Sequence, residues 1–264
     1  MTKIYAIANQ KGGVGKTTTC VNLSASLVAT KKRVLMVDLD PQGNATMGSG
    51  VNKADLELSV YDVLTEKAGV EQAAQKSESG GFDVLGANGD LTAAEVELLQ
   101  VIGKEFRLKL ALEKVAEQYD YVVIDCPPSL NMLTVNGLTA ADGVIIPMQC
   151  EYYALEGLSA LVNTINQIKQ FLNPELEIEG ILRTMYDPRN SLTNEVSAQL
   201  AEYFDEKLYR TCIPRNVRLA EAPSFGQPVM YYDRQSKGAI AYLAMAGEVI
   251  RRNEALKKQA AAEA

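Results

Sequence analysis

Four short runs dominated by apolar residues decide what this chain can fold into: Ile4–Ala8, Arg33–Asp38 (RVLMVD), Tyr121–Asp125 (YVVID) and Gly143–Met148 (GVIIPM). None of them alternates apolar with polar, so each strand must be covered on both faces. A mostly parallel sheet with helices on either side meets that demand. Helical spacing is read between the runs, near 16–30, 59–67, 92–99, 105–118, 132–140 and 154–172. Within the first of these, Cys20, Leu23 and Leu27 share one face. Phe82–Gly86, Ile178–Met185 and Tyr209–Ile213 read as further strands, with a helix over 192–204 and a closing helix over 239–258. The expectation is an α/β fold, a mostly parallel doubly wound sheet with helices on both faces. There is no internal repeat or long linker, and SESGG at Ser77–Gly81 reads as a surface loop. One domain over residues 1–264 is expected, with 259–264 a frayed tail.

The turn after the first run carries the chemistry. Lys11-Gly12-Gly13-Val14-Gly15-Lys16-Thr17-Thr18 leaves a strand and opens a helix, the context of a phosphate-binding loop. The glycines let backbone N–H groups turn inward, and the helix N-terminus adds partial positive charge. Lys16 is placed on the β- and γ-phosphates of a nucleotide, and the Thr17 hydroxyl on Mg²⁺. The usual pattern has glycine where Gln10 stands, and a second lysine, Lys11, follows it. The alternative, a flexible turn beside a solvated lysine, fails to account for strand, glycines, Lys-Thr and helix together.

Two more runs end in carboxylates. VDLDPQGN places Asp38 and Asp40 at a strand's C-terminal end, where parallel sheets hold their ligands. With a reference pKa of about 3.9, Asp40 suits orienting an attacking water better than deprotonating it. It is also a candidate Mg²⁺ ligand, whereas Asp38 is left at most a water-mediated role. Asp125 ends YVVID before Cys126-Pro127-Pro128-Ser129, and a strand-end aspartate is the expected metal partner of a phosphate loop.

Composition narrows the setting. Cys20, Cys126, Cys150 and Cys212 are scattered, with no Cys-x-x-Cys and no histidine in the chain, which excludes the commonest zinc sites and fits a reducing compartment. No signal segment or 20-residue apolar stretch is read, so a cytoplasmic protein is expected. A net charge of −7 argues against bulk attraction to nucleic acid. Arg189, Arg215, Arg218, Arg234, Lys237, Arg251, Arg252, Lys257 and Lys258 could nonetheless supply a local basic patch.

KGGVGKTT, VDLDPQGNAT, YDYVVIDCPPSL, IPMQCEYYALEGL and YRTCIPRNVRLAEAPSFGQPV together resemble the ParA family, in its chromosomal ParA/Soj branch, over about Lys3–Val249. The resemblance implies a weak, partner-stimulated ATPase that uses ATP and Mg²⁺. ATP would bring two subunits face to face, with Lys11 reaching the other subunit's nucleotide in trans. Glu151 would contact that nucleotide too, and Pro214 and Asn216 would hold adenine. The ATP-bound homodimer would bind DNA without sequence preference, with Arg189 and Arg218 as favoured contacts. A ParB-like centromere-binding protein would stimulate hydrolysis, separating copies of a chromosome or plasmid. No membrane partner is expected: the C-terminal segment ALKKQAAAEA lacks the apolar face of a MinD-like membrane helix. A reductase with a shared cluster is disfavoured because Cys126 reads as core. A related tyrosine kinase is disfavoured because Tyr231 and Tyr232 are internal. A nucleotide-dependent clamp with negligible turnover stays open. Because the chain begins at its first strand, operator-specific repression through an added N-terminal DNA-binding domain is not expected.

Overall fold

The computed structural model describes residues 2–152 and 154–263, with 259–263 described by backbone alone. Eight strands form one sheet: β1 (Lys3–Ile7), β2 (Val34–Asp38), β3 (Ala74–Lys76), β4 (Asp83–Leu85), β5 (Tyr121–Asp125), β6 (Gly143–Gln149), β7 (Glu177–Tyr186) and β8 (Leu208–Pro214). Their order is β3-β4-β2-β5-β1-β6-β7-β8, and every pairing is parallel except the β3–β4 edge.

The helices are α1 (Lys16–Ala29), α2 (Asn44–Gly48), α3 (Val60–Leu64), α4 (Val70–Ala73), α5 (Leu91–Leu98), α6 (Arg107–Glu113), α7 (Met132–Ala140), α8 (Ala154–Phe171), α9 (Ser191–Phe204), α10 (Val217–Glu221), α11 (Val229–Tyr232) and α12 (Lys237–Glu263). Strand periodicity sorts the core into two layers. Ala6, Leu35, Val37, Val122, Ile124, Val144 and Ile146 face α3 and α5–α9. Tyr5, Ile7, Met36, Val123, Ile145 and Leu182 face α1 and α12. Leu158, Leu161, Ile165 and Ile168 make the buried stripe of α8, and Cys20, Leu23 and Leu27 that of α1, as their spacing requires.

The doubly wound architecture matches the expectation, with local departures. The helix expected over 59–67 shortens to α3: Ser59 caps its start through the Tyr61 amide while Asp62 reaches back to the Ser59 amide, and Glu66, at a left-handed φ of +60°, ends it, with the Lys67 and Ala68 amides turning back to the Asp62 carbonyl. The helix expected over 105–118 splits into a 3₁₀ turn at Lys104–Phe106, then α6, then a 3₁₀ turn at Ala116–Gln118. Ser77–Gly81 is not a free surface loop. Ser77 is buried, its hydroxyl donates to the Ser49 carbonyl, and Ser79 Oγ donates to the Gly226 carbonyl at 2.8 Å. Of the tail expected to fray, Ala264 lies outside the described residues, and the helical backbone continues through Glu263. No described helix is long and apolar enough to cross a membrane.

The outer edge of β8 is masked by α12. The Glu248 carboxylate accepts the amides of Arg210 (2.8 Å) and Thr211 (3.0 Å) together with the Thr211 hydroxyl. These edge groups are thereby withheld from pairing with another chain.

Candidate functional site

Every residue singled out for nucleotide chemistry lies at the carboxyl ends of the strands. There the sheet order reverses, since β2 lies to one side of β1 and β6 to the other. The loop from β1 into α1 takes left-handed φ at Gly13 (+73°) and Gly15 (+89°), angles a side chain would strain. Neither Gly12 nor Gly13 would bring a Cβ within 4 Å of other atoms, so the loop's inner surface is open. Gly15 is the N-cap of α1 and offers no side chain to the first helical N–H groups. That leaves an uncapped helix N-terminus suited to an anion.

Several bonds hold the loop in shape. Lys16 is only 8% exposed, and its ammonium donates to the Lys11 carbonyl at 3.0 Å. Burial pushes its pKa down, opposed chiefly by the nearby Asp125 carboxylate. Asn9 Oδ1 accepts the Lys11 amide at 2.9 Å while Asn9 Nδ2 donates to the Pro147 carbonyl. Thr184 Oγ1 on β7 donates to the Val14 carbonyl at 2.7 Å. Neither Asn9 nor Thr184 was singled out from sequence. Asn9, two residues before Lys11, carries a readable turn signal. Thr184 acts across 170 residues and carries none.

Asp38 and Asp125 are register partners on adjacent strands, yet their surroundings differ. Asp38 Oδ1 accepts the Asp40 amide, and Oδ2 accepts both the amide and hydroxyl of Thr46 at 2.8 and 2.7 Å. Its carboxyl is pushed up to about 6, mainly by burial. Asp125 Oδ2 accepts the Thr17 hydroxyl at 2.7 Å, and Oδ1 is buried with no hydrogen-bond partner among the described residues. Burial and the Asp38 charge raise the Asp125 carboxyl well above the usual range. A buried carboxylate oxygen with nothing to bind is costly. Set beside a serviceable hydroxyl and an open anion cradle, it fits a divalent cation with oxygen ligands. Asp40 lies on the loop after β2, half-buried, with Oδ1 accepting the Gln42 amide at 2.9 Å.

A cleft of about 230 Å³ leads away from Gly15 and Thr18 between Thr184, Met185, Ile213, Pro214, Asn216, Leu219 and Tyr242. Pro214 and Asn216 are thus brought to the same opening as the loop. Asn216 Oδ1 also caps α10 through the Leu219 amide. Met185 borders the cleft with φ +49°, a left-handed conformation costing a non-glycine residue roughly 1–2 kcal/mol.

Lys11 and Glu151 meet on the outer rim, Nζ to Oε2 at 2.5 Å, both about half exposed. Arg189 and Arg218 lie apart from the cradle. Arg189 forms an ion pair with Asp187 at 2.8 Å, and Arg218 pairs with Glu221 (2.8 Å) and Asp233 (3.2 Å). Cys126 is buried, as its core reading required.

Known proteins resemble this chain in sequence and fold. Residues 2–178 match the model of a family described as an AAA domain. The sporulation initiation inhibitor protein Soj of Bacillus subtilis is 55% identical over 249 residues, 94% of this chain and 98% of that protein. The chromosome partitioning protein ParA of Caulobacter vibrioides is 51% identical over 261 residues, 98% of each. Among solved structures, the cobyrinic acid a,c-diamide synthase from Mycobacterium smegmatis, with bound ADP and magnesium, superposes at a TM-score of 0.85, with 40% identity over 96% of both chains. The same holds for that protein with a bound ATP analogue and magnesium. With half or more of its residues shared with Soj and with ParA across nearly its whole length, this chain belongs to the ParA/Soj family of P-loop ATPases.

Proposed function

We propose that the chain is a partitioning ATPase. It binds ATP with Mg²⁺ at the carboxyl ends of β1, β2 and β5, and pairs face to face with a second copy when so loaded. The pair holds DNA without sequence preference until a ParB-like centromere-binding protein stimulates hydrolysis. The observation that carries this reading is the Thr17 hydroxyl bound to Asp125, whose second oxygen is buried and unpartnered beside an uncapped helix N-terminus. The synthase name of the Mycobacterium smegmatis protein does not transfer, since the Soj and ParA relatives are more similar, at 55% and 51% against 40%.

Each residue's part follows from its position. The amides of Gly12–Thr18 receive the phosphate oxygens, and the Lys16 ammonium exchanges the Lys11 carbonyl for a phosphate oxygen. Burial disfavours the Lys16 charge in the free protein, so an arriving polyanion is matched to it. Thr17 and Asp125 would hold the metal, which would supply neutralisation of phosphate charge. Asp40, half-buried on the loop after β2, would orient the attacking water and is a further candidate ligand for the metal. Pro214 and Asn216 border the base.

Lys11 and Glu151 have the trans role. Exposed ion pairs contribute about 0–1 kcal/mol, so releasing both side chains toward the other subunit's nucleotide costs little. Until that happens, Lys11 is neutralised within its own chain. Without the second lysine and the stimulator, turnover is slow. Arg189 and Arg218 already have carboxylate partners, and a DNA phosphate must compete with these. Binding through them is accordingly weak and strongly salt-dependent. The protein works in the cytoplasm, on the nucleoid.

The test is DNA retention with ATP, with ADP and without nucleotide, across a salt series. Capture with ATP alone, lost as salt rises, is expected. Equal retention in all three states contradicts the reading.

A further inference from the structure

One wall of the cleft that runs from Gly15 and Thr18 toward Pro214 has an irregular backbone. Strand β7 advances three residues, Arg183 to Tyr186, while its neighbour β8 advances two, Cys212 to Pro214. The extra residue makes a β-bulge, a device that re-aims a side chain beside a site. Met185 lies inside the bulge, carries the left-handed φ of +49° and borders the cleft. A backbone held in so sparsely populated a region is over-determined by its surroundings, and such positions gather at ligand clamps and switches.

Met185 is also tied to the rim of the site. The Gln149 side-chain amide donates to the Met185 sulfur. Gln149 is the last residue of β6, and its carbonyl accepts the Glu151 amide at 2.9 Å. The Glu151 carbonyl accepts the amide of Ala154, the first residue of α8, at 3.0 Å. Glu151 thus stands in a tight turn anchored at Gln149, and its carboxylate holds Lys11. Cleft and rim are joined by one run of contacts, Met185 to Gln149 to Glu151 to Lys11. The first and last links are weak: a thioether is a poor acceptor, and an exposed ion pair contributes little.

We propose that Met185 couples occupation of the base cleft to release of Lys11. An aromatic base entering the cleft offers the Met185 sulfur a ring contact in place of the Gln149 amide. The thioether turns to the ring, Gln149 is unpinned, the Glu151 turn loosens and Lys11 leaves its own chain's carboxylate. Phosphate in the cradle without a base leaves the Lys11–Glu151 pair closed. Base and γ-phosphate then have separate parts: the base frees Lys11, and the other subunit's γ-phosphate receives it. The inference rests on the proposed function only for what Lys11 does once free, since the release occurs within one chain. Met185 and Gln149 act as positioning residues.

Magnesium ADP and magnesium pyrophosphate separate the two ligand parts, because both bring two phosphates to the cradle and only ADP carries a base. The measurement is the rate of Lys11 acetylation under a pulse of acetic anhydride, read by peptide mass spectrometry on the full chain at saturating ligand. Lys31, exposed just past α1, serves as the reference. ADP is expected to raise the Lys11 rate over that with pyrophosphate by up to about five-fold, the most that opening an exposed ion pair supplies. Gln149→Leu, and Met185→Leu with similar volume but no sulfur, should each show the fast rate with either ligand. The double variant should be no faster than either single one. Equal wild-type rates with ADP and pyrophosphate overturn the proposal. So does a Gln149→Leu protein that still distinguishes the two ligands, or a double variant in which the two effects add. Light scattering with magnesium ATP is read separately on the same proteins. A wild type that stays monomeric with ATP while ADP speeds Lys11 labelling leaves the coupling standing and removes the dimer from the proposed function.

Discussion

The ends of β2 and β5 look alike in sequence and differ in the structure. Each is an apolar strand closing on an aspartate, and the two carboxylates face each other in register. Asp38 has three internal donors and both oxygens engaged. Asp125 has one donor and a spare buried oxygen. A satisfied buried carboxylate fixes structure: Asp38 ties Asp40 and Thr46 together, and Thr46 Oγ1 in turn accepts the Ala87 amide. A half-satisfied one stores a demand that a cation meets. Burial alone does not mark a functional group, since both are fully buried; the missing partner marks it.

Substitutions at these two positions should therefore have opposite signatures. Asp125→Asn is expected to cut Mg²⁺-dependent ATP turnover by roughly a hundred-fold or more, on the scale of losing one fixed electrostatic contact to reacting phosphates. Thermal stability should be unchanged or raised, because a buried charge is removed. A drop in stability with normal turnover would erase the distinction. Lys16→Ala should abolish measurable nucleotide binding by titration calorimetry, while unchanged ATP affinity would move the phosphates elsewhere. Asp38→Asn should lower stability by about 1–3 kcal/mol through buried donors left unmet, with nucleotide affinity largely kept. Denaturant unfolding read beside a nucleotide titration separates the two effects.

The pH dependence sharpens the same contrast. The Asp38 carboxyl titrates near 6 when folded, above its unfolded value of 3.8. The folded state thus binds this proton more tightly than the unfolded state. Its contribution favours folding at low pH and is lost as the pH rises through about 6. Stability of Asp38→Asn should therefore fall less steeply across that window. Asp125, raised in the same direction, supplies the slope that remains. A wild-type slope in the variant would assign the proton elsewhere. Smallest of all, Arg218→Glu should reduce DNA retention severalfold with dimerisation intact. Because Glu221 and Asp233 already neutralise Arg218, no change in retention would remove it from the DNA surface.

The sheet and its cradle were legible because they rest on local signals. Uninterrupted apolar strands demand cover on both faces, and Gly12–Thr17 between strand and helix demands an anion. α7 was readable over its full length, Met132–Ala140. What escaped is either too short to carry a pattern or depends on contacts that spacing does not encode. β3 has three residues and pairs antiparallel at an edge, with too little pattern to read. Thr184 reaches Val14 from the far half of the chain. Ser77 looks like a loop residue until its hydroxyl is found on Ser49. The different roles of Asp38 and Asp125 were half legible, since Asp38 stood apart as at most a water-mediated ligand. The donors that occupy Asp38 come from Thr46 and the Asp40 amide, and sequence spacing does not reveal them. The Glu151 partner of Lys11 was likewise invisible, because an ion pair between loops 140 residues apart leaves no periodicity, whereas the Glu221 partner of Arg218, three residues on within α10, carries helical spacing.

The site between Thr17 and Asp125 has its proposed purpose only if nucleotide there joins two copies of the chain through Lys11. Light scattering of the wild type and of Lys11→Ala, each with Mg²⁺ and ATP, with Mg²⁺ and ADP, and without nucleotide, tests this directly. The wild type is predicted to double its mass with ATP alone, while Lys11→Ala binds ATP and stays at 28.7 kDa. A wild type that keeps the monomer mass with saturating ATP, or a Lys11→Ala variant that doubles as readily, would contradict it.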